Sequence, residues 1–160
     1  MKTRWGEKLD KANVLSEYPR PQLKRESYIN LNGVWQYAIT SANAVPEAMD
    51  GEIIVPFSPE CELSGVNRTV HPNESLWYTR HFDIPSGFNH GRILLHFGAV
   101  DYACTVYVNG NKAGCHFGGY SSFVLDITDL LKIGENDLTV NARDNVRSGN
   151  QPKGKQAGLV

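Results

Sequence analysis

The sequence predicts an all-β fold, an antiparallel β-sandwich, and three observations predict it. Apolar residues alternate with polar ones in short runs, turn residues separate the runs, and no long stretch carries helical periodicity. Ile93, Leu95 and Phe97 alternate with Leu94 and His96 before Gly98, and Tyr102, Cys104, Val106 and Val108 alternate with Ala103, Thr105 and Tyr107. Asn109-Gly110 follows, a strong hairpin signal because a type I′ turn needs positive φ at both central residues. The returning strand runs over Lys112 to Phe117 and ends at Gly118-Gly119.

Further strands are predicted at Trp35 to Ile39, Glu52 to Val55, Trp77 to Ile84, Phe123 to Ile127 and Asp137 to Arg143. Thr128 is placed to cap one helical turn through Leu131, and Gly134 to Asn136 supplies a tight return. Lys8 to Ser16 is the one segment with room for a short helix, which Pro19 and Pro21 would stop. At least seven short strands imply a sandwich or barrel, and the pattern by itself leaves immunoglobulin-like and jelly-roll connections open.

The 160 residues suffice for one domain with a core. Sixteen basic and 17 acidic side chains give a formal net charge of -1. Duplex DNA and anionic membranes demand a cluster of cations on one face, so neither nucleic acid nor membrane is expected as a partner. The small basic groupings at Lys24-Arg25 and Lys153 to Lys155 read as solvated loop charges. Met1 to Asp10 is charged and has no apolar run of the signal-peptide kind, so a soluble, cytoplasmic chain is expected. Three cysteines fit a reducing compartment; with a two-residue turn at Asn109-Gly110, Cys104 and Cys115 fall opposite each other as two thiols close enough to bridge.

A self-contained catalytic centre does not emerge. Asp83, Asp126 and Asp129 read as strand-end, turn and capping groups, and Glu60 and Glu62 as loop carboxylates. Asp101 sits beside a glycine-containing bend, where a carboxylate can tie down backbone N–H groups. There is no GxSxG elbow, and no Cys or His spacing of a metal site. Gly118-Gly119-Tyr120 lacks the strand-to-helix setting of a phosphate loop, so no cofactor and no metal are expected. Aromatic rings favour the C–H faces of sugars; Trp35 and Trp77 read as core, and Tyr120, on a Gly-rich turn, as the exposed ring.

A string of segments in one order carries more information than any single motif. Tyr18-Pro-Arg-Pro-Gln-Leu precedes Leu31-Asn-Gly-Val-Trp35, Ile54-Val-Pro-Phe57, Leu76-Trp-Tyr-Thr-Arg-His-Phe82 and Phe97-Gly-Ala-Val-Asp101. Val106-Tyr-Val-Asn-Gly110, Gly118-Gly-Tyr120, Phe123-Val-Leu-Asp126 and Gly134-Glu-Asn136 complete it. From Tyr18 to Asp144 the chain resembles the amino-terminal domain of glycoside hydrolase family 2, the β-galactosidase, β-glucuronidase and β-mannosidase group. The local physics agrees. Gly33 lets the backbone pass close to Trp35, Pro56 ends a strand where a donor is dispensable, and Arg80 on an apolar strand face must be paired.

The resemblance implies a galactose-binding-domain-like jelly roll over residues 18–147, after an extension of residues 1–17. It implies a non-catalytic role: support for a TIM barrel elsewhere in a parent O-glycosyl hydrolase, with a contribution to its carbohydrate pocket. Alone the chain is expected to be inactive, and its partners are the remainder of the parent chain and a carbohydrate substrate; a homo-oligomeric parent is compatible with this. An autonomous carbohydrate-binding module is the competing reading. Asn73, in the loop before Trp77 to Ile84, occupies a place similar to that of an Asn reaching the active site in the β-galactosidase branch; the alternative is an Asx-turn behind Pro72. Asn73 and Tyr120 are therefore the substrate-binding candidates, and no catalytic residue is carried over. Residues 148–160 are expected to form a loop that stops before the family's closing strand, irregular or packed on a neighbour.

Overall fold

The computed structural model describes residues 3–19, 21–41, 44–88 and 91–145. Eight strands account for its regular structure: β1 Gly33–Ser41, β2 Gly51–Val55, β3 Glu74–Asp83, β4 Leu94–Phe97, β5 Ala103–Val108, β6 Asn111–Phe117, β7 Phe123–Asp126 and β8 Glu135–Arg143. They form a six-stranded sheet in the order β2-β1-β3-β8-β5-β6 and a two-stranded sheet of β4 and β7. Every pairing is antiparallel. The predicted sandwich is therefore what forms. The loop predicted over residues 148–160, and the end of the domain predicted at residue 147, lie outside the described residues.

Alternation decides which face of the large sheet is covered. Cys104, Val106 and Val108 of β5, with Leu138, Val140 and Ala142 of β8, point inward and are buried. Trp35, Phe82, Ile93, Leu95 and Ile127 join them in one core beneath β4 and β7. Trp35 closes this core with its indole N–H on the Leu31 carbonyl at 2.7 Å. Trp77 is also buried but faces the other side of the sheet, donating to Thr40 Oγ1 and the Ala44 carbonyl at 3.1 Å each. Arg80 is paired as its place on an apolar strand requires: Nη1 donates to the carbonyls of Leu31 and Asn32 at 2.8 Å each.

The hairpin corrects one expectation. Asn109 and Gly110 have φ of 51° and 76°, as the type I′ turn demands. Beyond Tyr107↔Lys112, however, the register shifts to Val106↔Gly114, which leaves Ala113 as an extra residue. Cys104 therefore opposes His116, and Cys115 opposes Thr105. A one-residue slip exchanges faces, so Cys104 is buried, Cys115 is exposed, and both are free thiols. The bulge has a packing reason. Gly114 lies under β7, where a β-carbon would come within 2.6 Å of Leu125 Cδ2.

Two local expectations also change. The segment Lys8 to Ser16 forms no α-helix; a 3₁₀ turn, Gly6–Lys8, ends at its first residue, and turns and bends follow. This stretch has no apolar stripe to bury, and only Val14 is enclosed, under Asn30, whose amide donates to the carbonyls of Val14 and Leu15. Thr128 begins a 3₁₀ turn, Thr128–Leu130, rather than capping it. Its hydroxyl instead accepts the Ile93 N–H at 2.9 Å, tying the turn to β4.

Candidate functional site at one end of the sandwich

The two ends of the large sheet differ in kind. At the end reached by the C-terminus of β5, Asn109 Nδ2 donates to the Leu130 carbonyl at 2.9 Å and to Asn136 Oδ1 at 2.8 Å. Asn136, fully buried, donates in turn to the carbonyls of Lys132 and Gly134 and accepts the Lys132 N–H at 2.9 Å. Both amides are satisfied, which makes this end a closed clamp.

Among the described residues, the opposite end collects polar and aromatic side chains. The pairings Ser41↔Glu74, Leu76↔Ala142, Ala103↔Arg143 and Ala103↔Phe117 put the start of β3, the end of β8, the start of β5 and the end of β6 side by side. Asn73, Asp144, Asp101 and the turn Gly118 to Tyr120 extend from that row. Asn73 and Tyr120 thus share one end of the molecule. Their strands stand three spacings apart, roughly 14 Å, so a single small ring cannot touch both.

Asn73 is exposed in a turn closed by the Glu74 N–H on the His71 carbonyl at 2.9 Å. Glu74 holds this turn, accepting the His71 N–H at 2.9 Å and Arg68 Nη2 at 2.6 Å. The Asn73 side chain makes no hydrogen bond among the described residues, so the Asx-turn alternative is not what forms. Its amide is left facing solvent, with both donor and acceptor available.

Tyr120 is 74% exposed on a turn with a firm base. His116, Phe123 and Phe97 form a continuous stack, with centroid distances of 4.2 and 4.7 Å and ring planes within 12° and 10° of parallel. His116 Nε2 also lies 3.2 Å from Ser121 Oγ, just beyond Tyr120.

Asp101 does not tie down backbone N–H groups, as its place beside a bend suggested. The Asp101–Tyr102 peptide bond is cis, and the carboxylate packs flat on Gly119. A β-carbon there would fall 2.1 Å from Asp101 Oδ1, so only glycine fits. Partial burial pushes the Asp101 carboxyl above its usual range, and the Asp144 carboxylate nearby pushes in the same direction. Backbone bonds fix the neighbourhood: Tyr102 N–H to the Arg143 carbonyl at 3.1 Å, and Gly118 N–H to the Tyr102 carbonyl at 2.8 Å.

Chemically this end offers an amide, two carboxylates and a phenol ring, a set that hydrogen-bonds hydroxyls and packs against C–H faces. Sequence reasoning missed Glu74 as the residue holding the Asn73 turn, and Asp144 as Asp101's neighbour. The Arg68 to Glu74 spacing carried a faint signal for the first. The second depends on strand pairing and left none. Among the described residues no group of three or more His, Cys, Asp or Glu side chains has the geometry of a metal site.

Comparison with known proteins agrees with this architecture. The family profile described as "Glycosyl hydrolase 2 galactose-binding domain-like" matches residues 52–158. A putative β-glucuronidase of Formosa agariphila is 42% identical over 64 residues, which is 40% of this chain and 8% of that protein. A β-galactosidase of Thermoanaerobacter pseudethanolicus is 35% identical over 80 residues, 49% of this chain and 11% of that protein. Among solved structures, the Bifidobacterium dentium β-glucuronidase complexed with coumarin-3-O-glucuronide superposes with a TM-score of 0.57 and 30% identity, covering 71% of this chain and 19% of that one. The Faecalibacterium prausnitzii β-glucuronidase gives a TM-score of 0.60 at 27% identity, over 72% of this chain and 20% of that one. The chain thus spans no more than about a fifth of the length of these relatives. It belongs to the glycosyl hydrolase 2 galactose-binding domain-like family.

Proposed function

We propose that this chain is the non-catalytic amino-terminal domain of a larger cytoplasmic family 2 glycosidase, of β-glucuronidase or β-galactosidase type. In this reading it supports the catalytic barrel and lends a rim to the carbohydrate pocket. The observation that carries the reading is the pairing of two facts. The chain covers about a fifth of the length of two β-glucuronidases of known structure, and one end of its sandwich gathers Asn73, Asp101, Asp144 and Tyr120. These side chains suit hydroxyls and C–H faces; hydrolysis of a glycoside needs an acid and a second carboxylate poised across the bond, and the Asp101 carboxylate is packed against Gly119 instead. The rim therefore positions substrate, and the bond-breaking groups belong to the barrel.

The test is kinetic, in a parent glycosidase carrying this domain. Asn73→Ala is predicted to raise KM about tenfold for 4-nitrophenyl β-D-glucuronide or galactoside, with kcat within about twofold of wild type, as loss of uniform binding requires. Because Asn73 bonds to nothing else, the melting temperature stays put. An unchanged KM in both Asn73→Ala and Tyr120→Ala would remove the pocket-shaping role. The exposed Tyr120 ring favours one second reading, an autonomous carbohydrate-binding module. Saturable heat on titrating the 160-residue chain with galactose, glucuronate or cellobiose would establish that reading instead.

A further inference from the structure

Asn-Gly occurs twice in the sequence, at Asn32-Gly33 and Asn109-Gly110. The dipeptide is prone to react with itself, because no glycine side chain keeps the glycine nitrogen away from the preceding Asn amide. The nitrogen attacks Cγ, ammonia leaves and a cyclic imide closes. Water then opens the imide at either carbonyl, giving aspartate or isoaspartate.

The two sites are held differently. Asn32 is fixed through its backbone: its N–H donates to Asn30 Oδ1 and its carbonyl accepts Arg80 Nη1, both at 2.8 Å. Its side-chain amide makes no hydrogen bond among the described residues. Asn109 is fixed through the amide itself. Nδ2 donates both hydrogens, to the Leu130 carbonyl at 2.9 Å and to Asn136 Oδ1 at 2.8 Å, while Oδ1 accepts the Asp137 N–H at 3.0 Å. Gly110 is exposed, and nothing lies within 4 Å of where its β-carbon would be. The nucleophilic half of this pair is therefore open to water, and only the half it would attack is locked.

That lock opposes the reaction at two steps. Ring closure carries Cγ to bonding distance of the Gly110 nitrogen, and Oδ1 and Nδ2 cannot follow without leaving Asp137, Leu130 and Asn136. Expulsion of ammonia then needs a proton delivered to Nδ2, but the Leu130 carbonyl and Asn136 Oδ1 are acceptors and have none to give.

We propose that Asn109 is a latent self-modification site: the amide clamp it forms with Asn136 keeps the pair unreacted, and opening of the clamp lets the Gly110 nitrogen convert Asn109 to aspartate or isoaspartate. The Gly110 N–H proton passes to base in solvent, the Cγ–Nδ2 bond breaks, and water supplies the hydroxyl and hydrogen that reopen the imide. No oxidant and no second substrate enters. The product does not refasten the clamp. A carboxylate at position 109 offers no donor to Leu130 and sets negative charge against Asn136 Oδ1, so the change is one-way and marks chains that have opened at this end.

Peptide mapping by mass spectrometry after incubation at mildly alkaline pH reads both sites in one molecule, with Asn32-Gly33 as the internal reference. Asn109 in the folded 160-residue chain is expected to convert at least about tenfold more slowly than in the urea-unfolded chain, because the rate follows the open fraction. Equal rates in the two states overturn the proposal. Asn136→Ala, held under conditions where its unfolding curve shows it folded, is expected to speed conversion at Asn109 by about tenfold or more and to leave Asn32 as it was. Asn136→Asp, which keeps the Oδ1 acceptor but loses the donors to Lys132 and Gly134, takes its place if the alanine variant does not fold. No acceleration at Asn109, or equal acceleration at both sites, shows that the clamp is not the guard and overturns the proposal. Asn109→Asp reads the one-way step: its urea midpoint is expected to fall below that of the wild type, and an unchanged midpoint overturns that part.

Discussion

Asp101 and Gly119 meet so closely that neither can change alone without consequence. A methyl group at position 119 would overlap the Asp101 carboxylate and approach its Cβ to 2.9 Å, so more than the flexible end of the side chain has to move. Gly119→Ala is predicted to destabilise the domain by about 1–3 kcal/mol. Most of that loss should be recovered in Gly119→Ala/Asp101→Gly; urea midpoints of the four proteins in this cycle measure the coupling, and additive losses would refute the contact. The raised Asp101 carboxyl makes a separate prediction. A carboxyl with a higher pKa folded than unfolded holds its proton more tightly in the folded state. Stability is therefore lost as pH rises from the ordinary value of 3.8 through the raised folded value, and the loss persists above it. Asp101→Asn should raise the urea midpoint at pH 7, with the gain vanishing below about pH 2.8, where both states are protonated. A gain of equal size at both pH values would point to packing rather than ionisation.

The elements show what a sequence can and cannot reveal. The hairpin turn was legible because its requirement is local: Asn109 and Gly110 tolerate positive φ, and flanking alternation marks the strands. Trp35 and Arg80 were legible for the same kind of reason, since a strand pattern declares which side chains face inward. The bulge at Ala113 was not. Ala-Gly-Cys reads as ordinary strand, and the residue that selects the bulge, Leu125, belongs to the other sheet. The partnership of Asp101 with Asp144 was hidden likewise, because it exists only once β5 and β8 pair. The bulge account predicts that Gly114→Ala costs about 1–3 kcal/mol and that Leu125→Ala in the same protein relieves most of the cost, by denaturant unfolding. At the clamped end, Asn136→Ala strands the Asn109 amide and two backbone carbonyls, and a loss of about 2–4 kcal/mol is expected.

At the scale of the molecule, the sandwich is asymmetric along its strands. One end is closed by a satisfied amide network. At the other, among the described residues, Asn73 makes no hydrogen bond and Phe117 and Tyr120 stand in solvent. That polarity suits a domain that carries the rim of a site while the chemistry is performed elsewhere in a longer chain. The claim is tested most directly by hydrolysis of 4-nitrophenyl β-D-glucuronide and galactoside, assayed for the 160-residue chain, for the full parent, and for the parent lacking residues 18–145. The account predicts turnover by the parent, none by the chain alone, and a loss of at least about a hundredfold in kcat/KM on deletion, the scale of about 3 kcal/mol of transition-state stabilisation. Turnover by the 160-residue chain alone, or undiminished kcat/KM after deletion, would contradict it.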